Sequence, residues 1–230
     1  MKSICFCFLA IGDRYVHEFK SIATNFPKEN IIVCSDRKID DYNTIIHDGE
    51  FNFNLKSIPI IEGLKKYEKV VFLDTDHYIN KFDINYFNTF EKGISVKWIG
   101  DKVVYLNENI SADMLINGTT SRDDVNNYGK ILSNLYDNIK FIDESFLVFN
   151  LKDKDNFIKN YLMVIEKTKN TQPYRDTDKK KGALEGCLLY TATKLSNEDI
   201  LSSNSKFIKN FFYHYGPELG HSIKLKKELL

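Results

Sequence analysis

Neither sign of charge predominates in this sequence: 32 Lys and Arg stand against 32 Asp and Glu. Without a basic excess, binding to nucleic acid by neutralising its phosphates is disfavoured. Cysteine is scarce, limited to Cys5, Cys7, Cys34 and Cys187. Cys5 and Cys7 form a C-x-C pair, but no second pair completes a zinc site, and nothing here demands an oxidising compartment. Their alternation with Phe6 and Phe8 along an apolar run reads as a strand. Long apolar runs are missing too. The first apolar stretch, Met1 to Ile11, is too short to span a membrane, meets Asp13 and Arg14, and lacks a secretory cleavage site. A soluble, intracellular protein is expected, with no membrane span.

Hydrophobic residues make up 43% of the 230, enough for a sizeable core in one large domain. The 17 Phe and 13 Tyr can stack on bases or sugars, but most are expected to be core. No repeat and no linker divides the chain.

Along the first 76 residues strand, helix and strand patterns alternate. Ile4 to Ile11 reads as a strand, broken at Gly12-Asp13. Tyr15, Phe19, Ile22, Ala23 and Phe26 recur at helical spacing until Pro27. Ile31 to Cys34 and Thr44 to Ile46 are short strands, and Leu55 to Tyr67 reads as a helix. Such alternation predicts a mostly parallel sheet with helices on both faces. Ligands in such sheets bind beyond the carboxyl ends of the strands, where Gly12, Asp36 and Asp74 fall. Gly93 to Ile99 reads as a further strand. Residues 100–140 are polar, with Asn-Gly and Asp-Asp turn signals, and are expected to be a loop-rich insertion or lid. Lys140 to Asn150 is a strand; Asn156 to Lys167 and Leu184 to Leu195 are helices.

The run Val70-Val71-Phe72-Leu73 ends in Asp74-Thr75-Asp76. Side chains in a strand repeat with period two, so Asp74 and Asp76 are expected to point one way and Thr75 the other. Two carboxylates converging at a strand mouth repel unless a cation lies between them. A divalent cation held by one or two carboxylates typically takes further ligands from substrate phosphates. The sequence thus points to a metal that clamps a phosphorylated substrate.

With these residues in hand, the chain resembles the GT-A-type nucleotide-sugar glycosyltransferases, and most nearly the glycogenin-like and blood-group-type retaining enzymes. The matching stretches are Phe8-Leu-Ala-Ile-Gly-Asp-Arg-Tyr15, Ser57-Ile-Pro-Ile-Ile61, Lys69-Val-Val-Phe-Leu-Asp-Thr-Asp76, Phe141 to Asn150, Ala183-Leu-Glu-Gly-Cys187 and His214-Tyr-Gly-Pro217. The resemblance covers most of the chain and is weakest over 100–140. It implies an α/β fold with a Rossmann-like, mostly parallel central sheet flanked by helices and a loop-rich acceptor-side insertion. It implies one domain over 1–230, with residues 1–99 as the nucleotide and metal half and 100–230 as the sugar and acceptor half. The implied activity is transfer of a sugar from a nucleoside-diphosphate sugar, most often a UDP-sugar, to a glycan or glycoprotein acceptor. The implied cofactor is Mn²⁺ or Mg²⁺, acting as a Lewis acid on the departing diphosphate.

By the same resemblance, Asp74 and Asp76 are metal ligands and His214 is a third, or else a histidine of an aromatic cluster; an imidazole ligand would favour Mn²⁺. Leu9, Ala10, Ile11 and Tyr15 would cradle the nucleoside, with Tyr15 either stacking on the base or packing in the core. Asp36 would accept from base or ribose, or is an ordinary turn residue. Lys56 would reach a phosphate or the donor sugar, or is merely a solvated lysine, and Thr75 lies between the two metal ligands. Glu185 and Asp143 are the acidic candidates at the sugar, acting on the anomeric carbon in a retaining reaction or on the acceptor hydroxyl in an inverting one. Here the chain departs from the family. Leu184 and Gly186 flank Glu185, and Asp143-Glu144-Ser145 stands where glycogenin-like enzymes carry small residues, which implies a more acidic pocket. Lys179 to Lys181 and His221 to Lys224 are candidate basic segments over the phosphates, or solvated chain.

Three other readings compete. A haloacid-dehalogenase-like phosphatase also places Asp-x-Asp at a strand end, but nearer the N-terminus and without a Tyr such as Tyr78 after it. A sugar nucleotidyltransferase would open with a loop richer in glycine than Ala10 to Arg14. A non-catalytic GT-A-like domain binding a glycan or a partner would not need an intact Asp-x-Asp. The small size and the lack of an anchor lead to the expectation of a cytoplasmic enzyme, bacterial or virus-encoded.

Overall fold

The computed structural model describes residues 2–79, 83–97, 99–103, 122–171, 174–175, 180–181, 184–202 and 212–214. Strand β1 (Lys2–Ala10) is followed by helix α1 (Asp13–Ala23), then β2 (Ile31–Ser35) and β3 (Asn43–Ile46). A 3-10 turn (Phe53–Lys56) runs into α2 (Ser57–Lys66), which returns the chain to β4 (Tyr67–Leu73). Next come β5 (His77–Ile79), β6 (Gly93–Val96), β7 (Ile99–Val103) and α3 (Arg122–Ser133). They lead to β8 (Lys140–Ile142), β9 (Phe146–Asn150) and α4 (Lys154–Thr168). The two-residue strands β10 (Tyr174–Arg175) and β11 (Lys180–Lys181) precede α5 (Glu185–Leu195), β12 (Ile200–Ser202) and β13 (Phe212–His214).

The central sheet has seven strands in the order β12-β6-β9-β4-β1-β2-β3. Every neighbouring pair is parallel except those made by β9, which runs antiparallel to both β4 and β6. Strands from both halves of the sequence share this sheet. Its central strands are apolar along their enclosed stretches, Ile4 to Ala10 and Val70 to Leu73, because both faces are covered there. Side chains alternate between those faces. Cys5, Cys7 and Leu9 of β1 join Val70 and Phe72 of β4 under α2, α4 and α5. Ile4, Phe6, Phe8 and Ala10 join Val71 and Leu73 under Val16, Phe19 and Ile22 of α1. Each fully buried phenylalanine stabilises the fold by about 1.5–3 kcal/mol relative to exposure, and Phe6, Phe8, Phe72, Phe146 and Phe149 are all fully buried. Gly12 ends β1 at φ +88°, a left-handed conformation open to glycine, and turns the chain into α1.

Two expectations are corrected. Residues 100–140 are not simply loop: β7 pairs antiparallel with β8, and α3 packs Tyr128 and Leu132, one turn apart, into the core. Residues 104–121 lie outside the described part. Second, β4 stops at Leu73, so the period-two rule does not carry through to Asp76. The Asp74 N–H donates to Ser145 O at 2.9 Å and the His77 N–H to Asp74 O at 3.3 Å, which folds residues 74–76 into a turn. Among the described residues no helix is long and apolar enough to cross a membrane.

Candidate active site

The topology gathers chemistry at one edge of the sheet. Parallel strands β1, β2 and β4 all end there, at Ala10, Ser35 and Leu73. Because β9 is antiparallel, it begins at that edge, with Leu73 opposite Phe146. The residues before β9, Asp143-Glu144-Ser145, therefore stand beside the Asp74-Thr75-Asp76 turn. Helix α2 precedes β4, which is parallel to β1, and α5 precedes β12, which is parallel to β6, so their starts, at Lys56 and Glu185, open at the same edge.

Lys56 is the hub. Its Nζ lies 3.1 Å from Asp74 Oδ1, 3.3 Å from Glu185 Oε1 and 4.0 Å from Glu144 Oε1. The Lys56 and Glu185 side chains are each only 7% exposed, against 29% for Asp74. The ammonium also lies over the Phe53 and Phe72 rings, at 5.7 and 5.6 Å from their centroids. Burial pulls the Lys56 pKa down, but Asp74, Glu185 and Glu144 more than offset it, so the lysine is held as a cation. Burial pushes the Glu144 carboxyl well above the ordinary carboxylate range, and the adjoining Glu185 adds to the push. Glu185 is also raised by burial, with Lys56 opposing the shift. One ammonium faces three carboxyl groups, and burial drives Glu144, with Glu185 behind it, towards the neutral form.

Glu185 reaches this cluster because Gly186 follows it. A Cβ at Gly186 would sit 2.2 Å from Ile142 O, so only glycine lets α5 dock this closely on the end of β8. Asp143 has a different occupation. Its Oδ1 accepts from the Ser145 N–H at 2.9 Å and from the Ser145 hydroxyl, forming the turn that feeds β9.

Around the Asp-Thr-Asp turn, the three side chains diverge. Asp74 turns to Lys56. Thr75 is buried, and its hydroxyl donates to Glu18 Oε2 at 3.0 Å. Asp76 Oδ1 lies 3.6 Å from Nδ1 of the buried His77. That nitrogen is also 3.0 Å from Asp74 O; a carbonyl only accepts, so Nδ1 carries the hydrogen. In the β5–β13 pair, His214 stands opposite His77, one residue beyond Asp76. The backbone register thus brings the third expected ligand's position to this edge.

No protein-family model matches the chain, and no curated protein matches it. Solved structures do. WbbM, a bifunctional glycosyltransferase in its apo form, superposes over 88% of this chain and 39% of its own, with a TM-score of 0.52 at 14% identity. The chain has a GT-A-like glycosyltransferase fold. It spans well under half of WbbM, so the likeness concerns the fold alone. The galactosyltransferase LgtC, solved with donor and acceptor sugar analogues, matches over 87% of this chain and 73% of its own (TM-score 0.39, 16% identity). The glycosyltransferase GlyE of Streptococcus pneumoniae TIGR4 matches over 90% of this chain and 46% of its own (TM-score 0.44, 8% identity).

On this fold the nucleoside-side candidates separate. Leu9 and Ala10 bury their side chains in opposite cores, leaving only backbone at the edge; Ile11 is half-buried. Tyr15 is half-buried, its ring parallel to Phe51 at 6.4 Å between centroids, with the Arg14 guanidinium carbon 5.5 Å from its own centroid. Asp36 accepts from the Gly12 N–H at 3.3 Å and pairs with Arg37, whose hydrogen bond holds the Asp36 pKa below its ordinary value. Arg37 also reaches Asp13 at 2.7 Å. Lys179 and residues 221–224 lie outside the described part. Two acidic residues escaped the sequence reading as site residues. Glu144 was visible only as an oddity beside Asp143. Glu18 announces itself as a carboxylate on the apolar face of α1, between Tyr15, Phe19 and Ile22 at helical spacing.

Proposed function

We propose that the chain is a divalent-metal-dependent glycosyltransferase that moves a sugar from a nucleoside-diphosphate sugar, a UDP-sugar, to a glycan or protein acceptor. The observation that carries this reading is the shared edge. An Asp-Thr-Asp turn and a buried Lys56–Glu185–Glu144 cluster meet beyond the carboxyl ends of the strands, on a glycosyltransferase fold.

The donor set fits a hard cation. Among the described residues no three His, Cys, Asp or Glu side chains form a metal cluster. Asp74 and Asp76 nevertheless provide the one or two carboxylates such an ion needs when substrate phosphates complete its shell. His214 adds a third position from across the β5–β13 pair. When bound, the cation supplies Lewis-acid stabilisation of the departing diphosphate. The chain's own residues do the rest. Lys56 fixes the orientation of the Asp74 and Glu185 carboxylates. Glu185, the first residue of α5 and almost excluded from water, is the carboxylate placed to act at the sugar, with retention or inversion left to the acceptor's approach. Asp143, the other acidic candidate at the sugar, also shapes the turn into β9 by accepting from Ser145.

The test is a thermal-shift screen of nucleoside diphosphates and sugar nucleotides with and without Mn²⁺. Ligand at one hundred times Kd stabilises by about 2.7 kcal/mol. A Mn²⁺-dependent rise in Tm with uridine ligands, lost in Asp76→Ala while that variant stays folded, is expected. No rise with any nucleotide would sink the proposal.

A further inference from the structure

Glu18 is completely buried, yet it is no part of the Lys56 cluster. Both of its oxygens are used. Oε1 accepts from Arg14 Nε at 3.1 Å, and Oε2 accepts from the Thr75 hydroxyl at 3.0 Å. Arg14 is itself half in water, so this is not a sealed ion pair. A carboxylate here has to be desolvated, and an apolar side chain of similar size would fill the space without that penalty. A buried ion pair is therefore a poor explanation in terms of stability alone. What the carboxylate does achieve is a connection. One side chain ties the first turn of α1 to the middle residue of the Asp74–Thr75–Asp76 turn. With Thr75 held inward, the flanking residues are sent apart, Asp74 to Lys56 and Asp76 to His77. The charge of Asp76 in turn reaches Arg14 and helps to hold its proton.

We propose that Glu18 is a positioning residue: by accepting the Thr75 hydroxyl and the Arg14 guanidinium on its two oxygens, it holds the Asp74–Thr75–Asp76 turn in the shape that presents its carboxylates to a cation-bound diphosphate. The cation half of this statement rests on the glycosyltransferase reading; the holding of the turn does not.

The experiment compares Glu18→Leu and Glu18→Gln in the full chain. It uses three readouts: Tm, amide hydrogen exchange over residues 74–77, and UDP affinity in Mn²⁺ by calorimetry. Leu removes both hydrogen bonds but keeps the core filled. Its Tm is expected to stay level or rise, while the turn amides exchange faster and UDP affinity falls about tenfold. Gln can accept from Arg14 and donate to the Thr75 oxygen, so it restores both readouts. A merely structural Glu18 would lower Tm and leave the turn and the affinity alone, which overturns the proposal. Should Glu18→Leu fail to fold, Thr75→Val breaks the same link from the other side, and unchanged exchange there overturns it equally. Wild-type protein that binds no UDP with Mn²⁺ removes the glycosyltransferase reading and the cation half with it; the exchange comparison still decides whether Glu18 holds the turn.

Discussion

Lys56 and Glu185 meet at 3.3 Å, each at the start of a helix on the same face of the sheet. A glutamate suits a helix N-terminus and a lysine does not. The lysine stands there because Asp74, Glu144 and Glu185 surround it.

Lys56→Met would leave those three carboxyl groups facing one another without a cation. Removing one partner of a buried charge cluster costs about 3–5 kcal/mol. The expected result is a large fall in the urea midpoint. Adding Glu185→Leu should recover part of it, since the two losses are not independent. An unchanged midpoint in the single variant would show that water already screens the cluster.

Glu144 gives a pH signature. Its folded pKa lies well above its ordinary value of 4.5 because burial penalises the ion. The native state then holds a proton that the unfolded chain has released. Stability from this group is complete below that ordinary value and declines as pH rises towards the folded pKa. Chemical denaturation between about pH 5 and about pH 8 should show wild-type stability falling more steeply than that of Glu144→Gln. Parallel curves would mean that Glu144 ionises freely in the fold.

Gly186→Ala tests the docking of α5. In an ordinary helix position alanine is favoured over glycine by roughly 0.5–1 kcal/mol. Here its Cβ would lie 2.2 Å from the Ile142 carbonyl oxygen, so backbone must move. Overpacking of this kind costs about 1–3 kcal/mol, and the clash decides the sign. A lowered Tm together with a lost Mn²⁺-dependent nucleotide response is expected. A gain in Tm would contradict the close approach of α5 to β8.

Glu185→Gln keeps the shape of the cluster but removes a carboxylate from the sugar side. Donor affinity should be retained while turnover falls by roughly two orders of magnitude or more, the range for losing a group that acts in the transition state. Single-turnover kinetics with the donor found in the thermal screen would measure it. Unchanged turnover would take Glu185 out of the chemistry.

Much of the scaffold was legible in the chain. The apolar runs of β1, β2 and β4, the 3.6-residue spacing of Tyr15, Phe19 and Ile22, and the carboxylates after Leu73 are local signals that local sequence carries. The site was legible in part. Asp74, Asp76, Lys56 and Glu185 stand out as residue types in context, and the fold brings Asp74, Lys56 and Glu185 together. Glu144 did not stand out as a site residue, because nothing local says that it will be enclosed; the mark of Glu18, its place on the apolar face of α1, signals burial but not what it touches. The divergence of Asp74 and Asp76 was equally hidden, since it depends on where β4 stops and on what Thr75 finds beneath it.

The sequence by itself determined the strand–helix alternation, the two-sided burial of the central strands and the presence of paired carboxylates at a strand end. Periodicity and apolar content act over a few residues and need no partner. Only the tertiary structure decided that β9 runs backwards beside β4. That reversal sets residues 143–145 beside the Asp74 turn, while the parallel run of β4 and β12 brings two distant helix starts to the same edge, and together they make Lys56 the cation among three acids. Burial and charge pairing belong to the assembled sheet. Whether a lysine is solvated or enclosed is set by neighbours that the chain supplies from far along its length.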